Sequence, residues 1–153
     1  MPHLDPTRSS IGFNIRHLGV ATVHGSFASF TGGLDDDGAR LAVDVTSVDT
    51  GDPIRDRRLR SEFFDAEQFP AMTFRAAGIG PTIHGELTIR GVTRPIALRA
   101  TFERLADGSI RLRAFGRLRR SEFGLDWAAL RQAGRLVVAD QVRLSVDLVL
   151  EGG

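Results

Sequence analysis

Residues Val142 to Glu151 read VRLSVDLVLE, with an apolar side chain at every second position from Val142 to Leu150. Strict alternation is typical of a β-strand that buries one face and exposes the other. The same period recurs in six further segments, and a less regular strand is predicted from about Ser26 to Leu34, which makes eight strands. The alternating apolar positions of the six segments are Ile11, Phe13 and Ile15; Leu41, Val43 and Val45; Met72, Phe74 and Ala76; Ile83, Gly85, Leu87 and Ile89; Ile96, Leu98, Ala100 and Phe102; and Ile110, Leu112, Ala114 and Gly116.

Turn-forming residues separate these strands at Asp35–Gly38, Gly78–Pro81, Gly91 and Asp107–Gly108. Short strands with one polar face, joined by such turns, favour a largely antiparallel sheet. An open sheet of eight strands would leave two exposed edges, and closure into a barrel removes them. We therefore expect an eight-stranded antiparallel barrel. Its interior is either just filled by side chains or wide enough for one small ligand.

Two connections between the strands predict short helical segments. Asp52 and Pro53 precede the polar run IRDRRLRS, which is typical of a short surface helix that begins at a proline. The spacing from Asp65 to Gln68 predicts one tight turn, which Pro70 ends. The predicted fold class is therefore all-β, with one or two short helices in connecting loops.

Length and composition limit the class of protein. The 153 residues are expected to form one domain, residues 1–153, and the net charge of +1 is ordinary for a soluble chain. No run is long enough for a membrane span, and the absence of cysteine excludes disulfides and thiolate metal sites. Met1 to Thr7 lacks the features of a signal peptide. We therefore expect a cytoplasmic protein, or a periplasmic or secreted one if a leader was removed.

The connection from Ser61 to Phe74, SEFFDAEQFPAMTF, holds four of the ten phenylalanines, although surface loops are usually polar. A second long connection contains Trp127, the single tryptophan of the chain. A loop that lies across the open end of a barrel must present apolar groups inward to keep the interior dry. Phe63, Phe64 and Phe69 are therefore expected either to complete an ordinary core beneath a loop or to line and gate a ligand cavity.

Four motifs give the chain a resemblance to a known family. They are GFNIRHLG at Gly12–Gly19, SVDTGDPIRDRRLRSEFFDAEQFPAMTF at Ser47–Phe74, GELTIRGVTRPIAL at Gly85–Leu98 and RRSEFGLDW at Arg119–Trp127. In this order they closely resemble the YceI family of lipocalin-like, polyisoprenoid-binding proteins, and the resemblance runs from about Leu4 to Leu150. It implies a lipocalin-like barrel, a long apolar channel that holds an isoprenoid or a similar lipid, and a dimer in some members.

The expected ligand is thus a long-chain apolar lipid, such as a polyisoprenoid or an isoprenoid quinone, which the protein carries or sequesters without chemistry and without a cofactor. Burying one methylene contributes roughly 0.8 kcal/mol, so apolar walls alone suffice to hold such a chain. The expected ligand-binding residues are inward-facing strand positions and the aromatic residues of the two long connections. They are Phe13, Ile15, Val43, Val45, Phe74, Leu87, Leu98, Leu112, Leu144 and Val146 on the strands, and Phe63, Phe64, Phe69 and Trp127 at the barrel ends.

Polar candidates for a site are few. His17 continues the inward register of Phe13 and Ile15, so it either meets a polar head group, acts as an acid or base, or forms an ordinary hydrogen bond at a strand end. The four histidines lack the H-x-x-x-H or H-x-H spacing of a metal site, so we expect no metal. No G-x-S-x-G elbow, phosphate loop or dinucleotide fingerprint occurs, and no catalytic residue is predicted.

Arg111, Arg113, Arg117 and Arg119 share one strand face, interrupted by Phe115. Such a stripe, like the run RDRRLR in the predicted helix, could grip a diphosphate or approach an anionic membrane surface. We interpret it instead as a solvated barrel exterior whose charges are balanced by neighbouring carboxylates. A single aromatic residue on this face argues against a nucleic-acid partner, because stacking on bases needs several.

Two other functions fit the same sequence pattern. A hydrophobic barrel can act as a cofactor-free cyclase or isomerase by holding a flexible substrate in one reactive conformation. A barrel filled by its own side chains would instead be a scaffold without a small ligand. A homodimer is expected from the resemblance alone.

Overall fold

The computed structural model describes residues 2–17, 21–125 and 138–152 of the protein. Within these ranges, eleven strand segments form one sheet, and every pair of neighbouring segments is antiparallel. The segments are β1 (His3–Leu4), β2 (Ser10–His17), β3 (Ala21–Phe27), β4 (Phe30–Asp35), β5 (Gly38–Asp44), β6 (Val48–Asp49), β7 (Ala71–Ala76), β8 (Thr82–Ile89), β9 (Val92–Arg104), β10 (Ile110–Arg119) and β11 (Val138–Glu151).

The eleven segments form eight barrel strands. β1 and β2 form one barrel strand, since both pair with β11. β3 and β4 form the next strand, because β3 pairs with β2 and β4 pairs with β1. β6 likewise continues β5, because β5 pairs with β4 and β6 pairs with β3. From there the order runs through β7, β8, β9, β10 and β11, and β11 returns to β1 and β2. The predicted eight-stranded antiparallel closed barrel is confirmed.

The period-two pattern of the sequence sets the inner face of the barrel. Residues directly opposite each other on neighbouring strands share a face, so the pairing of Leu112 with Leu148, and of Phe74 with Leu87, extends one apolar surface around the wall. Leu112, Phe74 and Leu87 are each less than a tenth exposed and belong to one core cluster that runs through the interior.

One inward position differs from the predicted strand pattern. Val45 is not a strand residue, because β5 ends at Asp44 and a 3-10 turn covers Val45–Ser47. The carboxylate of Asp44 accepts hydrogen bonds from the amide of Thr46 at 2.9 Å and from its hydroxyl at 2.6 Å. Such a local side-chain bond competes with the sheet ladder and turns the chain. Val45 is therefore buried, but at a turn.

The predicted helix after Asp52 is confirmed. Helix α1 spans Pro53–Arg58, and the carboxylate of Asp52 caps it by accepting from the amides of Ile54 at 3.0 Å and Arg55 at 3.2 Å. A π-helical turn, Leu59–Phe63, continues it, and the amide of Phe64 donates to the carbonyl of Leu59 at 2.8 Å. A hydrogen-bonded turn from Asp65 to Phe69 then leads to β7. Short 3-10 turns also occur at Pro6–Arg8 and Arg120–Phe123.

The ion pairs of the described residues gather at the end of the barrel where β1 begins and β11 ends. The guanidinium of Arg8 contacts Asp5 and Asp107 at 2.9 Å each, and Glu151 at 3.1 Å. This cluster ties the N-terminal 3-10 turn to the β9–β10 turn and to the last strand. The other pairs are His3–Glu151, Arg40–Asp35, Arg111–Asp147 and Arg113–Asp147.

Asp107 makes part of the stability of this end dependent on pH. The hydroxyl and amide of Ser109, and then Arg8, lower the pKa of Asp107 from 3.8 to about 2. A carboxyl group whose pKa is lowered by folding stabilises the protein at any pH above its pKa in the unfolded chain. This stabilisation is lost as the pH falls towards its pKa in the folded protein. We expect Asp107→Asn to lower the melting temperature at neutral pH, and the difference from wild type to shrink between pH 3.8 and about 2. A difference that stays constant over this range would contradict the assignment.

Candidate ligand-binding site

A narrow cavity occupies the half of the barrel interior near the ion-pair cluster. About 130 Å³ of it is open to the centre of a water molecule, and its walls are apolar side chains apart from Arg40 and Thr73. Arg40 is neutralised by Asp35 at 2.8 Å. Ile79, which is 44% exposed, also lines this cavity. The cavity therefore reaches the surface beside Ile79. An apolar cavity of this kind holds water poorly and favours an apolar occupant.

A wide cavity occupies the opposite half of the barrel, beneath helix α1. About 350 Å³ of it is open to the centre of a water molecule. Ile54, which is 69% exposed, and the exposed Arg58 both line it, so the wide cavity opens to solvent beside α1. We call this opening the mouth.

The two cavities adjoin each other inside the barrel. Met72, Ile89, Leu118 and Leu144 line both of them, and these four side chains form the waist between the cavities. Each comes from a different strand, β7, β8, β10 and β11, so the barrel wall itself sets the position of the waist. Ile89 and Leu118 are less than a tenth exposed, whereas the unbranched thioether of Met72 can adapt to a neighbour.

An aromatic cluster lines the wide cavity. The rings of Phe63 and Phe64 lie 5.1 Å apart edge to face, Phe64 is 6.0 Å from Phe27, and Phe27 is 5.5 Å from Phe13. All four line the wide cavity, and edge-to-face geometry is the favourable one for aromatic pairs. Thus two of the phenylalanines after α1 line a cavity as well as complete the core around it.

A chain of hydrogen bonds fixes α1 against the mouth. The guanidinium of Arg55 donates from Nε to the Thr50 hydroxyl at 2.8 Å and from Nη2 to the Thr50 carbonyl at 2.9 Å. Asp56 is 7% exposed, and its carboxylate accepts from the amide of Thr50 at 2.9 Å and from its hydroxyl. Arg55 and Asp56 both belong to α1, so their bonds to Thr50 hold the helix against the end of β6.

Arg120 is a buried cation in the wall of the wide cavity. Arg120 is 5% exposed, and its guanidinium donates from Nε to the carbonyl of Ala139 at 3.0 Å and from Nη1 to that of Leu125 at 3.1 Å. The bond to Ala139 ties the 3-10 turn after β10 to β11. Among the described residues no group of three His, Asp or Glu side chains is placed to hold a metal ion. The described helices include none that is long and apolar enough to cross a membrane.

Comparison with known proteins places this barrel in a family. A family model described as a YceI-like domain matches residues 3–150. The chain belongs to the YceI-like family. A UPF0312 protein of Yersinia enterocolitica is 36% identical, over 69% of this chain and 68% of that protein. A UPF0312 protein of Yersinia pseudotuberculosis is 35% identical, with the same shares of both chains.

Solved structures show the same YceI-like barrel. A polyisoprenoid-binding domain of Saccharophagus degradans has a TM-score of 0.87 at 22% identity, over 99% of this chain and 98% of that one. BcnA of Burkholderia cenocepacia has a TM-score of 0.82 at 23% identity, over 95% and 98%. A YceI protein of Campylobacter jejuni has a TM-score of 0.71 at 25% identity, over 90% of each chain. At these identities, the first two likenesses establish the fold.

The YceI-like barrel brings most of the sequence-predicted ligand residues to the two cavities. Residues of β2 and the turn after α1 reach the wide cavity, and residues of β5 and β7 to β11 reach the narrow one. The wide cavity is lined by Phe13, Ile15, Phe63, Phe64 and Leu144, and the narrow cavity by Val43, Phe74, Leu87, Leu98, Leu112, Leu144 and Val146.

Of the other four predicted residues, two lie outside these walls and two fall outside the described part of the structure. Val45 is 1% exposed and packs in the core, outside the lining of both cavities, because the turn at Asp44 directs the chain away. Phe69 packs over Gly91 at the β8–β9 turn rather than against a cavity. The side chain of His17 and all of Trp127 lie outside the described residues.

The lining residues that sequence reasoning missed include two groups for which the reason is clear. Met72, Ile89 and Leu118 follow the period-two pattern, but alternation marks a residue as inward without telling where the interior narrows. Arg55 and Arg58 line the wide cavity as well. Residues three apart share a helix face, so this helical spacing could have found the pair.

Proposed function

We propose that this YceI-like protein binds one long isoprenoid chain, or a similar lipid chain, inside the barrel and carries or sequesters it without chemistry. The observation that supports this most strongly is the pair of adjoining apolar cavities, which share the waist and reach the surface at opposite ends. A long, flexible apolar chain fits such a path better than a compact ligand does. The polyisoprenoid-binding description of the Saccharophagus degradans domain is consistent with the same class of ligand.

The energetics favour a chain ligand. A five-carbon isoprene unit gains roughly 3 to 4 kcal/mol on full burial. A micromolar complex needs about 8 kcal/mol, and the loss of rigid-body freedom costs on the order of 4 kcal/mol or more. Three or four buried units therefore suffice on apolar contacts alone, which agrees with walls that carry few polar groups.

The polar groups of the described cavity walls support binding rather than catalysis. General acid–base chemistry needs a proton donor or acceptor within hydrogen-bond reach of the reacting atom. Asp52 is the carboxylate among the lining residues of the described chain, and it lies at the mouth, where it already accepts from two amides of α1. A homodimer stays a prediction from the resemblance.

Lipid analysis of the purified protein tests this function. We expect native mass spectrometry to show the chain with one added apolar molecule, and solvent extraction to release an isoprenoid or a similar long-chain lipid. Once stripped, the protein should take up solanesol, a long uncharged isoprenoid alcohol, at one molecule per chain. If the protein purified from its expression host carried no lipid and also failed to take up solanesol, the proposal would be wrong. Release of a chemically altered product would favour the enzyme instead.

A further inference from the structure

The outer face of β10 divides into two halves with different charge balance. In the half near the ion-pair cluster, Arg111 contacts Asp147 at 2.6 Å and Arg113 contacts the same carboxylate at 3.5 Å. Here the sequence interpretation of a balanced exterior is confirmed. In the half near the wide cavity it is wrong, because Arg117 lies directly opposite Arg143, and Arg119 lies opposite Gln141.

These unbalanced arginines belong to a continuous surface, which we call the basic face. Phe115, Arg117 and Arg119 on β10 have directly opposite partners on β11, and those of Phe115 and Arg117 in turn have partners on β2. No Asp or Glu occurs among these partners in the described chain. None of the arginines of this face has a carboxylate within ion-pair distance among the residues that the structure describes. The basic face consists of the exposed residues Arg16, Arg99, Phe115, Arg117, Arg119 and Arg143.

In the described part of the chain, Glu122 and Asp140 are the carboxylates that border the basic face. Glu122 lies in the turn after β10, and Asp140 accepts hydrogen bonds from the amide and hydroxyl of Ser121 at 2.9 and 2.8 Å. Five arginines thus stand against these two carboxylates of the described chain, and Arg119 is one of the cations that lower the pKa of Asp140. Like charges directly opposite on neighbouring strands destabilise a sheet, so the pairing of Arg117 with Arg143 costs the fold stability. An anionic surface that binds there would relieve this repulsion.

Phe115 adds an apolar element to the basic face. It is 60% exposed and lies directly opposite Arg99 on β9 and Ser145 on β11. A large exposed apolar side chain among cations is typical of surfaces that bind the head-group region of a membrane, where the ring enters and the cations meet lipid phosphates.

The basic face also borders a cleft in the barrel wall. The β9–β10 ladder ends where Phe115 meets Arg99, whereas the β10–β11 ladder continues to Arg119. Beyond that point β9 and β10 leave a cleft whose lining includes Ile96, Leu98 and Leu118. The same three residues line the narrow cavity from the inside. At the cleft, the barrel wall alone therefore separates the basic face from the interior.

We propose that the basic face docks this protein on an anionic lipid bilayer. Charge complementarity supports this occupant, and the thin wall at the cleft explains why docking there would bring the lipid next to the cavities. The inference goes beyond chain binding and does not depend on it.

Other occupants fit the basic face less well. A two-fold contact with a second copy would set arginines against arginines, because such an interface uses the same patch on both partners. Single-stranded nucleic acid would find one aromatic platform, Phe115, where several are needed.

Vesicle co-sedimentation of the full chain tests the proposal. We expect wild type to pellet with phosphatidylcholine vesicles containing about 30 mol% phosphatidylglycerol, not with phosphatidylcholine alone, and to be released as the salt is raised. Each arginine near an anionic surface changes the affinity roughly fivefold, so Arg117→Gln with Arg143→Gln should weaken binding at least tenfold. The melting temperature of this variant should not fall, because a repulsive pair has been removed. Phe115→Ser should remove the part of the binding that resists salt.

The matched control is Arg75→Gln with Arg104→Gln, which removes two exposed arginines outside the basic face. We expect it to keep vesicle binding within about threefold of wild type. If both double variants lost the same amount of vesicle affinity, net charge alone would explain the effect and the proposal would be wrong. It would also be wrong if wild type did not bind the vesicles that contain phosphatidylglycerol. A dimer in sedimentation velocity that Arg117→Gln with Arg143→Gln dissolves would assign the face to a second copy instead. Solanesol uptake, measured without vesicles on the same variants, should not change, so failure of chain binding is seen separately.

Discussion

Leu144→Trp should stop the uptake of a long isoprenoid chain while the barrel still takes up a short one. Leu144 lines both cavities and is one of the four side chains of the waist. An indole at this position would fill the waist and confine any ligand to the wide cavity. A chain that loses one buried isoprene unit loses roughly 3 to 4 kcal/mol, which corresponds to more than a hundredfold in affinity.

The measurement compares solanesol, a long alcohol, with farnesol, a short one, by competition against a fluorescent fatty-acid probe. Solanesol should lose most of its affinity for Leu144→Trp, and farnesol should lose little. Ser145→Trp is the matched control, because it places the same ring one residue further along β11 on the exposed outer face. Unchanged solanesol binding to Leu144→Trp would show that the chain does not cross the waist.

The strands and their inner faces could be read from the sequence because alternation is a local property. From Val142 to Leu150 every second residue is apolar, and these residues line the two cavities. Val45 shows where this reading ends. It continues the alternation of Leu41 and Val43, yet the Asp44 side chain bonds to Thr46 and closes a turn, and this short-range competition is not part of the period.

Whether the interior is filled or open could not be read from the sequence. At Gly85 an added Cβ would come within 2.3 Å of the Phe74 ring and 2.5 Å of the Arg75 carbonyl, so the ring packs directly over the glycine. At Gly25 the Phe13 ring lies in the same relation, at 2.2 Å. The cavities are the space that stays empty once aromatic rings on some strands have packed over glycines on others. That remainder depends on the register and stagger of the whole barrel.

The arginines of β10 show the same limit for charge. Their spacing placed them on one outer face, but the balance of that face depends on which residues lie opposite. Asp147 on β11 faces Arg113, and Arg143 on the same strand faces Arg117. A shift of the register by four residues would instead have placed Arg117 opposite Asp147. Cross-strand partners are set by the pairing of the strands and not by either strand alone.

The second large effect concerns stability, and we expect Asp56→Ala to lower the free energy of unfolding by roughly 2 to 4 kcal/mol. Asp56 is 7% exposed, and its carboxylate accepts both the amide and the hydroxyl of Thr50. Without it these donors lose their acceptor in a place that water reaches poorly. Thr50 also holds Arg55, so the loss spreads along the hydrogen-bond chain that fixes α1.

The same substitution should weaken chain binding, because α1 and its π-helical turn position Phe63 and Phe64 at the wide cavity. A helix of six residues has little stability of its own, so its place depends on this anchor. Urea unfolding at neutral pH gives the stability, and Asp49→Ala is the control, since the exposed Asp49 carboxylate caps only the amide of Gly51 at 2.8 Å. Asp56→Asn keeps one acceptor and should fall between wild type and Asp56→Ala. If Asp56→Ala stayed within about 0.5 kcal/mol of wild type, the carboxylate would not anchor the helix.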